Sequence, residues 1–189
     1  METKSIMIVG VGGQGTLLAS RILGKVAIKE GYDVKVSEVH GMSQRGGSVV
    51  TYVKYGDKVY SPIIDRGEAD LILAFEMLEA MRALPYLKKG GKMIANTQKM
   101  NPMPVITGAM EYPENIEEKL SAKINLQAVD ALSLAEKAGT IKAVNVVLIG
   151  LLAKSMDVDK NVWIDVIKET VPEKFLDVNI KAFELGYEL

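Results

Sequence analysis

A glycine-rich turn near the amino terminus has the spacing that proteins use to bind phosphate groups. Gly10, Gly12 and Gly15 follow the apolar run 6–9 and precede a helix-patterned segment. In a dinucleotide-binding turn, the missing side chains let the backbone approach a pyrophosphate and let the helix pack on the strand. N–H groups at the start of a helix also bind carboxylates, although such glycines can serve close packing alone. We predict a ligand or partner contact for Gly12, Gly13, Gln14 and Gly15.

An acidic residue lies where a dinucleotide site would need one. Glu38 comes 23 residues after Gly15, near the end of an alternating polar and apolar segment that predicts a strand. This spacing favours, as one alternative, a free-standing Rossmann-type oxidoreductase that binds NAD(P) or FAD with micromolar affinity. The other interpretation of Glu38 is a solvated glutamate at a strand end.

A second glycine-rich segment, residues 40–47, contains an arginine beside a glutamine. The guanidinium of Arg45 offers a planar fork of donors for a carboxylate, a phosphate or an acidic partner, with a local ion pair as the structural alternative. Because ligands of open α/β sheets bind at the carboxyl ends of the strands, both glycine segments should meet there. A lone histidine at a strand end is more often structural than catalytic, which is how we interpret His40. The predicted contact residues here are Gln44, Arg45, Gly46 and Gly47.

One amide stands out in the second half of the chain. Asn145 lies early in the otherwise apolar segment 143–154, which predicts a buried helix. A buried amide must find hydrogen-bond partners, so a structural role is favoured. Contact with a ligand or with another subunit is the alternative, and Asn145 completes the set of candidate site residues.

Composition and charge exclude several classes of function. The 189 residues contain 23 Lys and Arg against 24 Asp and Glu, without long blocks of either sign, which argues against a nucleic-acid partner. The chain contains no cysteine and one histidine, so it cannot ligate an iron–sulfur cluster through cysteine, and we predict no metal site. No apolar span reaches 18 residues, so we expect a cytoplasmic protein without a membrane partner.

Hydrophobic periodicity predicts one α/β domain over residues 1–189, with a Rossmann-like, doubly wound, mostly parallel sheet. Strands are expected near residues 5–9, 33–39, 48–55, 71–75 and 92–96, with residues 33–39 parallel to the first strand. A hairpin insertion is expected at 56–58, with a second arm at Val59 and Tyr60. Residues 88–91 should close a helix that begins at Glu76, and Val105 and Ile106 should form a short strand. The carboxyl-terminal part should be helical.

Together, the two glycine segments resemble a known family. The resemblance is carried by residues 10–16 and 37–49, and it continues through 60–62, 67–70, 79–80, 84–87, 143–147, 171–175 and 179–186. These motifs are similar to the gamma subunit or domain of 2-oxoacid:ferredoxin oxidoreductases, including the beta subunit of indolepyruvate ferredoxin oxidoreductases. The pair of segments is far more specific than a lone glycine fingerprint.

The resemblance implies oxidative decarboxylation of an aryl 2-oxoacid such as indolepyruvate to its acyl-CoA, with electrons passed to ferredoxin. In that family thiamine diphosphate and iron–sulfur clusters belong to the larger alpha subunit, and coenzyme A is the co-substrate. The chain alone should therefore bind no cofactor and should be inactive. The resemblance implies no catalytic residue here, and a non-catalytic scaffold subunit remains an alternative.

Overall fold

The computed structural model describes residues 2–41 and 46–189, and a six-stranded mixed sheet lies at its centre. Along the sheet the strand order is β2-β3-β1-β4-β5-β6. Three pairings are parallel, between β1 and β4, β4 and β5, and β5 and β6, whereas β3 is antiparallel to both of its neighbours. The strands are β1 Lys4–Val11, β2 Asp33–His40, β3 Ser48–Gly56, β4 Ala69–Ala74, β5 Leu87–Asn96 and β6 Asn125–Val129.

Helices cover both faces of this sheet, which confirms the predicted doubly wound α/β class. The layer that contains α1, α5, α6, α7 and α8 packs on one face, and α2 and α4 pack on the other. The helices are α1 Thr16–Lys29, α2 Met77–Ala83, α3 Met103–Ile106, α4 Ile116–Ser121, α5 Ala131–Ala138, α6 Val144–Lys154, α7 Lys160–Thr170 and α8 Leu176–Tyr187.

The side chains of β1 explain its central position. Ile6 and Ile8 point into the layer of α1 and α6, while Met7 and Val9 point into the layer of α2. A strand places successive side chains on opposite faces, so a continuous apolar run is stable only where both faces are covered. This arrangement places the turn that follows β1 at the middle of the carboxyl edge of the sheet.

The hairpin lies elsewhere than the sequence indicates. β2 and β3 pair with each other, so β3 lies between β1 and β2, although β2 does run parallel to β1 as predicted. Val59 and Tyr60 form no strand, so the predicted second arm was wrong. The Asp33 carboxylate accepts the N–H of Val59 at 2.9 Å, which turns the chain back against β2.

Two other local predictions were wrong for reasons of chain geometry. Residues 88–91 belong to β5, because α2 already ends at Ala83 and Pro85 then stands in a single 3-10 turn. Gly90 has a φ of 81° where the pairing of β4 with β5 shifts register. Val105 and Ile106 lie in α3, whose first turn contains Pro104, a residue that favours helix starts.

The carboxyl-terminal helices pack closely through two glycines. The α6 helix is buried along nearly its whole length, and it crosses α8 where Gly150 faces the Phe183 carbonyl and Gly186 faces the Val147 carbonyl. Trp163 of α7 stacks on Phe183 with ring centroids 6.4 Å apart. Among the described residues, no helix has both the length and the apolar character that crossing a bilayer requires.

We expect Gly186→Ala to destabilise the protein, because a Cβ there would lie 2.0 Å from the Val147 oxygen. Overpacking of this kind costs about 1–3 kcal/mol or more. The control is Gly24→Ala in α1, where the nearest atom would lie 3.8 Å away and the better helix propensity should stabilise by up to about 1 kcal/mol. Urea unfolding of both variants measures the difference. An unchanged midpoint for Gly186→Ala would contradict the close packing of α6 on α8.

Candidate functional site

The glycine turn follows β1 directly and leads into α1. A Cβ on Gly10 would lie 2.9 Å from the Gln14 side-chain oxygen, so glycine is needed there for close approach. Gly13 and Gly15 have φ angles of 102° and 85°, which residues with side chains rarely adopt. Gly15 stands at the start of α1, and within the described residues no side chain caps that helix and no acidic residue lies in its first turn. The backbone N–H groups in the first turn of α1 are therefore open to an anion.

The two glycine segments meet, as predicted from the carboxyl-edge rule. The Gly12 N–H donates to the Gly47 carbonyl at 2.8 Å, and the Gly46 N–H donates to the Gly12 carbonyl at 3.4 Å. Gly12, Gly46 and Gly47 thus form one small backbone network between the end of β1 and the start of β3. Two further predicted contact residues, Gln44 and Arg45, lie outside the described residues.

Gln14 occupies the position where the sheet changes its winding. The connections after β1 and β4 leave toward opposite faces, which is where ligand crevices of α/β folds open. The Gln14 side-chain oxygen accepts the Val11 N–H at 2.7 Å, and its amide nitrogen donates to the Phe75 carbonyl at 3.1 Å. A contact at 3.4 Å to Gln98 completes the bridge. The Gln14 side chain therefore ties β1 to β4, and its predicted ligand contact stays a prediction.

A cleft lies on each side of the glycine turn. The first, here called the β3-side cleft, has a volume of about 370 Å³, and the second, the α6-side cleft, has about 510 Å³. The β3-side cleft is lined by Gly12, Gly13, Gly15, Thr16, Leu17, Glu38, His40 and Val49. The α6-side cleft is lined by Gly12, Gly13, Gln14, Gly15, Gln98, Met100, Leu132, Ile141, Lys142, Val144 and Asn145. Gly12, Gly13 and Gly15 line both clefts, so the glycine turn lies between them.

Two polar side chains of the β3-side cleft, those of Glu38 and His40, come from the edge strand β2. The carboxylate of Glu38 accepts the Thr51 hydroxyl at 3.2 Å, and the His40 ring nitrogen lies 3.1 Å from the Gly41 carbonyl. In a dinucleotide-binding fold the acidic residue follows a strand adjacent to the first. Here β3 separates the two strands, which places β2 about 10 Å from β1 across the sheet. Glu38 therefore comes from a strand that is not adjacent to β1, although it lines the β3-side cleft together with the glycine turn.

Asn145 holds the start of α6 against the glycine turn. Its side chain is only 5% exposed, and its amide nitrogen lies 3.5 Å from the Gly15 carbonyl, while its oxygen accepts the Val146 N–H at 3.0 Å. A Cβ on Gly15 would lie 2.6 Å from the Asn145 amide nitrogen. The favoured structural role thus has a geometric basis, and a ligand or subunit contact by Asn145 stays a prediction.

Sequence reasoning missed a set of polar residues beside the turn. The Glu76 carboxylate accepts the Tyr112 hydroxyl at 2.5 Å and the Met100 N–H at 3.0 Å. Burial and this hydrogen bond to Glu76 raise the pKa of Tyr112, which stays a neutral donor. The Asn96 amide joins Phe75 to Gln98. The available signal was the pair of glutamates at 76 and 79, spaced as in a helix capping box directly after an apolar strand.

Acidic and histidine side chains are dispersed around the site. Among the described residues, no group of three or more could hold a metal ion. The α6-side cleft combines a single lysine, Lys142, with the backbone of the glycine turn and apolar walls. This composition suits a ligand that carries both an anionic group and an apolar arm.

Solved structures share the whole fold. The gamma subunit of a keto/oxoacid ferredoxin oxidoreductase from Geobacter sulfurreducens PCA matches with a TM-score of 0.73 and 25% identity, over 98% of this chain and 96% of that one. The fold of this chain is thus one that the gamma subunit of a ferredoxin oxidoreductase also has.

The sequence relationship is closer. Residues 5–189 match the family described as pyruvate ferredoxin/flavodoxin oxidoreductase. Two relatives named indolepyruvate oxidoreductase subunit IorB, from Pyrococcus horikoshii and Thermococcus kodakarensis, are 46% and 45% identical, and each match covers 98% of this chain and 95% of the relative. The chain belongs to the pyruvate ferredoxin/flavodoxin oxidoreductase family.

We expect Gly15→Ala to destabilise the protein more than Gly13→Ala does. Both substitutions impose a positive φ on alanine at about 1–2 kcal/mol, but only the Cβ at position 15 meets another group, the Asn145 amide. The extra cost should be about 1–3 kcal/mol. In the Gly15→Ala background, Asn145→Ala should restore part of the lost stability. Urea unfolding of the wild type, Gly15→Ala, Asn145→Ala and the double variant measures this coupling. Strictly additive changes in the free energy of unfolding would contradict the contact.

Proposed function

We propose that the chain is the small subunit of a thiamine-diphosphate-dependent 2-oxoacid:ferredoxin oxidoreductase that acts on indolepyruvate or another aryl 2-oxoacid. The observation that carries this proposal is the match, over nearly the full length, to relatives named indolepyruvate oxidoreductase subunit IorB. The reaction would release carbon dioxide, transfer the acyl group to coenzyme A and pass the electrons to ferredoxin. We assign residues 1–189 to one domain and place the enzyme in the cytoplasm.

The absence of cysteine from this chain supports a division of labour between subunits. Iron–sulfur clusters are held by cysteine thiolates, so the electron path to ferredoxin would lie on the larger alpha subunit. Thiamine diphosphate would also be bound there, and it supplies the group that stabilises the carbanion left by decarboxylation. This chain would then contribute a shaped surface beside the partner's active site. We assign no acid, base or nucleophile to it.

The α6-side cleft is the part of that surface that best fits coenzyme A. The backbone N–H groups of the glycine turn and the ammonium of Lys142 can interact with phosphate oxygens. The walls formed by Met100, Leu132 and Val144 can contact the less polar arm that carries the thiol. The NAD(P) or FAD alternative is less favoured, because Glu38 comes from β2, whereas the acidic residue of a dinucleotide site follows a strand adjacent to the first.

We expect the purified chain alone to have no oxidoreductase activity. Without the larger subunit it lacks a group that can accept electrons from an acyl intermediate. The measurement is reduction of ferredoxin or a dye with indolepyruvate and coenzyme A, before and after addition of the larger subunit. Turnover by the isolated chain would overturn the proposed division of labour.

We expect Lys142→Met to raise the apparent KM for coenzyme A about three- to tenfold in the reconstituted enzyme, because a charge-assisted contact at the cleft rim is lost. The control is Lys137→Met, an exposed lysine at the end of α5 that lines neither cleft of the glycine turn. Arg45→Ala tests segment 40–47 in the same way. Weaker subunit association with an unchanged KM for coenzyme A would favour the scaffold alternative.

A further inference from the structure

Two buried carboxylates lie at the start of α2, on the far side of the sheet from α1. Glu76 is 1% exposed and Glu79 is 4% exposed. Burial of a carboxylate is costly unless hydrogen bonds compensate it, so the partners of a buried carboxylate indicate what it holds in place. The proposed function uses neither residue.

Glu79 holds the segment that contacts the glycine turn from the β3 side. One carboxylate oxygen accepts the Ser48 hydroxyl at 2.6 Å, and the other accepts the Arg82 guanidinium at 2.5 Å. Ser48 directly follows Gly47, whose carbonyl accepts the Gly12 N–H. A short chain of contacts therefore runs from α2 through Glu79 and Ser48 to the glycine turn.

Glu76 holds the opposite wall. One carboxylate oxygen accepts the Met100 N–H at 3.0 Å and the Tyr112 hydroxyl at 2.5 Å, while the Met77 N–H donates to the Gln98 carbonyl at 3.1 Å. Gln98 and Met100 line the α6-side cleft. The first turn of α2 thus holds Gln98 and Met100 in the positions where they line the α6-side cleft.

The two carboxylates are also fixed relative to each other. The second oxygen of Glu76 accepts the Glu79 N–H at 3.0 Å, as in a helix cap. One oxygen of each carboxylate accepts a hydrogen bond from a segment outside α2. A displacement of residues 46–48 would leave a Glu79 oxygen without its Ser48 donor, and a displacement of residues 98–100 would remove one of two donors to a Glu76 oxygen. The low local dielectric makes both losses unfavourable.

We propose that Glu79 and Glu76 are positioning residues for the two segments that flank the glycine turn, here called its walls. Glu79 holds residues 46–48, which contact Gly12, and Glu76 holds residues 98–100, of which Gln98 and Met100 line the α6-side cleft. The inference rests on the proposed function in one respect, namely that these walls contact coenzyme A or the partner's active site. The anchoring itself is a property of the isolated chain. It can therefore be tested separately from catalysis.

The first test is hydrogen exchange of the purified chain. Glu79→Leu keeps the side-chain volume but removes both acceptors, and it should speed exchange in peptides covering 46–49 at least tenfold while leaving 98–101 unchanged. Glu76→Leu should speed exchange in 98–101 at least tenfold and, because it also removes the cap beside Glu79, should change 46–49 by a smaller factor. Glu136→Leu, on the exposed face of α5, is the matched control and should change neither. Unchanged exchange at both walls, or an equal loss at both with either variant, overturns the anchoring.

The second test is kinetic and uses the enzyme reconstituted with its larger subunit. Each Leu variant should raise the KM for coenzyme A several-fold with kcat within about twofold, and Glu79→Gln, which can still accept the Ser48 hydroxyl, should restore the KM. If a Leu variant fails to fold, Ser48→Ala and Tyr112→Phe each remove one hydroxyl donor instead. A local change in exchange with an unchanged KM supports the anchoring and overturns the proposed role of the walls in coenzyme A binding.

Discussion

The side-chain amide of Gln14 is the interaction on which the carboxyl edge of the sheet depends. It contacts the last residue of β1, the residue that follows β4 and the segment that follows β5. Parallel strands end with backbone groups that have no further ladder partner, and a buried group of this kind must be paired. A single glutamine supplies both an acceptor and a donor, so it satisfies groups from two strands at once. The glycines around it leave the space in which its side chain can reach them.

Two asparagine side chains extend this hydrogen-bond network beyond Gln14. Asn96 bonds to the Phe75 carbonyl and accepts the Ala131 N–H, so the start of α5 is linked to the strand ends. Asn145 then links the start of α6 to the turn. Polar networks in a low-dielectric interior are rigid when every member is paired. Side-chain hydrogen bonds therefore hold the backbone of the glycine turn, between the two clefts, at defined positions. A rigid backbone of this kind suits a surface that binds a partner.

Sequence reasoning could predict the units of this fold but not all of their neighbours. Apolar runs identified β1 and β4 as buried strands, and the carboxyl-edge rule correctly placed Gly12 beside Gly46 and Gly47. Alternation identified β2, and strand-forming residue types identified β3. Neither signal carries information on which strand lies beside which, so the insertion of β3 was missed. The sequence of residues 88–91 is typical of a helix end. These residues join β5 through a register shift against β4, and a local sequence pattern cannot indicate such pairing. The contacts of Glu76 join residues 24 and 36 positions apart, a distance that no local pattern reports.

The strand order also exposes a vulnerable edge. With β3 inserted, β2 is an outermost strand, and the free backbone groups of such a strand can recruit other chains into unwanted sheets. Its first residues carry charge: Asp33 pairs with Lys35 at 2.6 Å, and hydrogen bonds from Lys35 and from the Val59 backbone lower the pKa of Asp33 to about 2. A strand edge that stays ionised over the physiological range resists aggregation. The charged residues at the start of β2 therefore oppose the pairing of this edge with other chains.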